Sequence, residues 1–131
     1  MTVLRKVFAG LAWVYLAAVV VQIFLAGLGL PQLGGEGMGI HAEFGYTAVH
    51  MTPILLILLA AVSRAGSSLI WWTVATAVVA FMQPIWVTAF QGEVLASIHV
   101  LGAIVLLALG YHVARLATGR VRAESTPEPA H

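Results

Sequence analysis

The chain has 131 residues, 61% of them hydrophobic and 8% charged, with a formal net charge of +1. Soluble domains average about 25% charged residues, so this composition excludes a soluble globular surface and defines a single-domain membrane protein. Cysteine is absent, which excludes disulfides, iron–sulfur ligation, covalent c-type haem attachment and a thiol nucleophile.

The first apolar stretch, Val7–Leu28, carries one amide, Gln22. Its apolar run is longer than a signal-peptide core of about 7–15 residues, so it is expected to stay as a span. A Gly/Pro-rich loop, Leu30–Gly39, leads to the second stretch, Ile40–Val62, which holds His41, Gly45, His50 and Pro53. Arg64–Ser67 reads as a tight turn. The third stretch, Ser68–Phe90, begins near Trp71 and Trp72 and ends beyond Gln83 and Pro84. A second turn, Gln91–Glu93, precedes the fourth stretch, Val94–Leu116, with His99, Gly102 and His112. The polar segment from Arg120 onward is expected to be a disordered tail, residues 120–131, which leaves 1–119 as the folded unit.

Each stretch is long enough to cross about 30 Å of hydrocarbon, which takes about 20 helical residues. None alternates as a barrel strand does. The expected fold is therefore all-α, an integral membrane four-helix bundle. All six basic residues (Arg5, Lys6, Arg64, Arg115, Arg120 and Arg122) fall on one side of the spans, whereas Glu36, Glu43 and Glu93 fall on the other. The positive-inside rule then puts both termini in the cytoplasm.

The two helix pairs share a pattern. Gln22 precedes His41 by 19 residues, Gln83 precedes His99 by 16, and small residues follow both histidines. The longer first loop accounts for the difference. This suggests two parallel helix-pair repeats about an axis along the membrane normal, with His41 and His99 facing one another in the outer half. Gly45 and Gly102, about one turn beyond these histidines, are expected to leave room for a flat macrocycle. Two neutral imidazoles can then clamp a haem iron from both sides. The competing reading makes the histidines interhelical hydrogen-bonding groups.

His50 rivals His41. The two are nine residues apart, which in a straight α-helix at about 100° per residue sets them about half a turn apart. Yet His50 lies 14 residues before Arg64, close to the 16 that separate His99 from Arg115. Gln22 and Gln83 read as buried amides able to bind each other, a histidine or a haem propionate. His112 reads as interfacial. No Lys, Arg, Asp or Glu lies deep in a stretch, which argues against an ion-coupled transporter. No phosphate loop, Ser–His–Asp set or nucleic-acid-binding patch is present.

The segments HAEFG from His41 and HVLGA from His99 resemble one half of a haem A synthase. That family is built from two four-helix halves with haem-ligating histidines on the second and fourth helix of each. The chain also resembles a family of small bacterial four-helix membrane proteins. The resemblance spans about Val7–Leu116. It implies that His41 and His99 are axial ligands of one haem b. Two neutral imidazoles saturate the iron, so the expected role is electron transfer, with quinone or a redox protein as exchange partner and a homo-oligomer or larger complex as an expected setting. A second half is missing, so haem A synthesis by this chain alone is not implied. A haem-free accessory or scaffold subunit is the alternative.

Overall fold

A computed structural model describes residues 2–30 and 37–125. The parts of the first loop and of the tail at 31–36 and 126–131 lie outside these residues. Helix α1 covers Thr2–Leu28. The second span consists of α2 (Gly37–Phe44), a π-helical segment (Gly45–His50) and α3 (Met51–Val62). Helix α4 covers Ser67–Ala89, and a 3-10 turn at Val94–Ser97 leads into α5, Ile98–Ser125. Among the described residues, four helical segments are long and apolar enough to cross a membrane: Val3–Leu28, Gly37–Val62, Ser67–Ala89 and Val94–Ser125.

The helices extend further than hydropathy suggests. Helix α1 begins at Thr2, ahead of the apolar run. Helix α5 continues to Ser125, so residues 120–125, expected in a disordered tail, are helical. Hydropathy marks where the apolar run ends. The polar residues beyond that point still form helix because they find partners. Arg5 pairs with Glu124, and the Arg120 guanidinium packs against Gly66.

Each span packs on its neighbours in the chain, and α1 closes the ring against α5. The second and fourth spans therefore lie on a diagonal. The apolar core is concentrated toward the end that carries the basic residues. There Phe8, Ala12, Tyr15 and Val19 of α1 meet Leu56, Ala60, Leu69, Ala80, Val113 and Ala114. The spacing of those α1 residues, alternately four and three, keeps them on one face. Small residues let the backbones approach: Ala60, Ala80 and Ala114 are fully buried, and Tyr15 lies against Gly110. The outward faces are equally apolar, with Val14, Phe24, Leu58, Trp71 and Ile104 exposed. A helix apolar all round is suited to lipid.

Arg5 fastens the basic end. Its Nε donates to the Ser63 carbonyl at 3.0 Å and its Nη2 to the Arg64 carbonyl at 3.1 Å. The turn it holds contains Arg64 at φ 51° and Gly66 at φ 89°. A Cβ on Gly66 would sit 2.6 Å from Arg120 Nη1. Gly66 pairs its positive φ with ψ 151°, a conformation nearly reserved for glycine, so Gly66→Ala should cost about 1–3 kcal/mol from the backbone alone. Thermal unfolding in detergent should show a lower melting temperature than wild type.

Candidate functional site

At the end away from the basic residues the bundle opens into a cavity of about 480 Å³. His41, His50, Gln22 and Gln83 all line it, as does His99. It is open because the core side chains that fill the basic half give way here to histidines, amides and small residues.

The two histidines are held alike. His41, in α2, donates from Nδ1 to the backbone carbonyl of Gln22 in α1 at 3.0 Å. His99, in the first turn of α5, donates from Nδ1 to the carbonyl of Gln83 in α4 at 3.2 Å. A carbonyl only accepts, so Nδ1 carries the proton and each Nε2 keeps its lone pair. This is the tautomer of a metal-ligating imidazole whose other nitrogen is anchored by a backbone acceptor. The ring centres are 6.1 Å apart and the planes cross at 79°. Imidazole nitrogens bind first-row metals at about 2 Å, so two rings bound end-on to one metal have centres about 6 Å apart.

The side-chain amides complete the pattern. Gln22 Nε2 donates to the His41 carbonyl at 2.9 Å and lies 3.3 Å from His41 Nε2. Gln83 Nε2 donates to the Val79 carbonyl at 3.1 Å. Among the described residues no such amide caps His99 Nε2. Gly45 lines the cavity, and the space at Gly45 and Gly102 is taken up by glutamine side chains. A Cβ on Gly45 would lie 2.7 Å from Gln22 Nε2, and one on Gly102 would lie 2.2 Å from Gln83 Nε2. Each glycine makes room for the glutamine of the preceding span. Trp86 also packs on Gly102, 2.5 Å from where a Cβ would stand.

His50 does not stand half a turn away from the cavity, as a straight helix would place it. The π-helical segment Gly45–His50 turns less per residue than an α-helix, and this swings His50 round to the cavity wall. Pro53 lies just past the π-helical segment, inside the continuous helical span Gly37–Val62, where it removes one backbone donor. His50 is 7% exposed. Its Nδ1 donates to the Gly45 carbonyl, and its ring stacks on Tyr46 with centres 5.3 Å apart. Phe81 approaches it edge-on at 5.6 Å. Tyr46, Phe81 and Trp86 were not singled out from the sequence; aromatic residues at lipid-facing positions give no signal of their own. His112 lies outside this site, against Trp72 with centres 4.6 Å apart.

Among the described residues, no three His, Cys, Asp or Glu side chains come together to hold a bare metal ion. Two histidines alone suit a metal that brings its other ligands with it. No family model, curated protein or solved structure matches the chain.

Gly45→Val and Gly102→Val should each expel a glutamine amide from its seat and loosen the histidine it neighbours. Overpacking of this kind costs about 1–3 kcal/mol. Both variants should melt below wild type, while Gly10→Val, where a Cβ meets nothing within 4 Å, should melt close to it.

Proposed function

We propose that the chain is a membrane-bound b-type haem protein of electron transfer, with one haem held between the second and fourth spans by His41 and His99. The observation that carries this reading is the pair of Nδ1-anchored imidazoles, 6.1 Å apart at their centres, on the wall of a cavity open between the helices. Both Nε2 lone pairs are the atoms that would meet iron; Gln22 would yield its contact with His41 Nε2. When bound, the haem supplies reversible one-electron chemistry. With His41 and His99 both holding the iron, no position would be left for oxygen, which would suit electron transfer. The protein's part is to fix both rings, exclude charge from the surroundings and keep the site within lipid. Quinone or a redox partner protein would exchange the electron.

The Gln–His–Gly recurrence supports two parallel helix-pair repeats, and with them the resemblance to one half of a haem A synthase. The basic residues at one end support insertion in a bacterial plasma membrane with both termini cytoplasmic. The alternative, a haem-free accessory or scaffold subunit of a larger complex, is favoured by one observation: each histidine already bridges two helices by a hydrogen bond, as polar groups between membrane helices do.

Purified protein from haem-supplied cells should show a Soret band and, on reduction, split α and β bands. His41→Ala and His99→Ala should each abolish the low-spin spectrum, whereas His50→Ala should retain it. Colourless protein that is folded and assembled would establish the accessory reading instead. Reporter enzymes fused to either terminus should be active only in their cytoplasmic-reporting form; a periplasmic signal from either end would overturn the orientation.

A further inference from the structure

Three polar atoms of the cavity residues are buried with no partner: Gln22 Oε1, Gln83 Oε1 and His50 Nε2. Their chemical sense is fixed. Each amide nitrogen is already committed to a carbonyl, of His41 for Gln22 and of Val79 for Gln83, so the oxygens are the free ends. His50 Nδ1 gives its proton to the Gly45 carbonyl, so its Nε2 is a lone pair. All three atoms are acceptors. The hydroxyl of Thr88, also on the wall, is taken by the Pro84 carbonyl at 2.9 Å. Among the described residues, no Lys, Arg, Asp or Glu lines the cavity, and its remaining surface is largely aliphatic. At the His50 end of the cavity a charged group would meet acceptors and apolar side chains and no counter-charge, at high desolvation cost. A neutral ring that donates hydrogen bonds would satisfy acceptors that otherwise go unpaired.

We infer that the cavity binds a neutral hydroxyl-bearing ring arriving from the bilayer, and prefers a hydroquinone to its oxidised quinone, with His50 Nε2 as principal acceptor. His50 is nine residues further along the span than His41, toward the basic end, so a ring at His50 sits beside the imidazole pair and not between its members. The stacked Tyr46, which is 56% exposed, lies where such a ring would enter from lipid. The choice of hydroquinone among hydroxyl-bearing rings rests on the electron-transfer reading; the preference for a donor does not.

The test uses a 5-alkylresorcinol, which has two hydroxyls and no stable quinone form, against its dimethyl ether, which keeps the ring and alkyl chain and has no donor, with the 3,5-dimethyl analogue as a control for bulk. Binding to the full-length protein in lipid nanodiscs is measured by titration, with ¹⁵N-histidine NMR reporting His50 Nε2. The resorcinol should bind about tenfold or more tighter than the ether, the value of roughly one hydrogen bond, and should move the His50 Nε2 resonance. His50→Leu should lower resorcinol affinity to that of the ether. If that variant fails to fold, the wild-type comparison and the His50 resonance decide alone. Equal affinity for resorcinol and ether, or an unmoved His50 resonance as when a water is the resident donor, would overturn the inference. A haem spectrum with no donor preference sinks this inference alone. A donor preference in colourless protein leaves the binding site standing and sinks the haem.

Discussion

The close fit of the helices at the basic end is the constraint on which the rest depends. Between membrane helices the hydrophobic effect gives no drive, because lipid tails are as apolar as leucine; packing and hydrogen bonds must do the work. Tyr15 against Gly110, and the fully buried Ala60, Ala80 and Ala114, supply packing that lipid cannot match. Arg5 then ties the turn after α3 to the end of α5. With one half of the bundle fixed in this way, the other half can stay apart around a cavity without the helices drifting.

In that open half the governing requirement is that polar groups find partners where there is no water. The helices meet it by lending backbone carbonyls. Gln22 and Gln83 hold the two imidazoles through their main chains, while their amides settle over glycines of the next span. The same hydrogen bonds that remove the cost of burying a histidine also choose its tautomer. Structural economy and readiness for a metal therefore have one cause, and this is why both readings of the histidines begin from the same geometry.

Much of this was legible in the sequence. Four apolar runs marked the four long helices, because a lipid requirement acts directly on composition. The juxtaposition of His41 and His99 followed from matched positions in the two helix pairs. What could not be read was local. A π-helical segment at Gly45–His50 leaves no periodic trace in a run that is apolar on every side, so straight-helix counting could not fix the phase of His50. The glycines were correctly seen as space, but the neighbour that fills it depends on side-chain direction across two helices. The extension of α5 to Ser125 rests on contacts from Arg5 and Gly66, far away in the chain.

The contact between Arg5 and Glu124 also sets what this unit can become. It brings the beginning of the first span beside the end of the last, at one face of the bundle. A second such unit could be joined there by a short linker, with no strand of chain passing back through the bilayer and with both copies pointing the same way. Units whose ends meet tolerate this kind of joining. Tandem duplication would thus yield two like-oriented cavities side by side from one continuous chain.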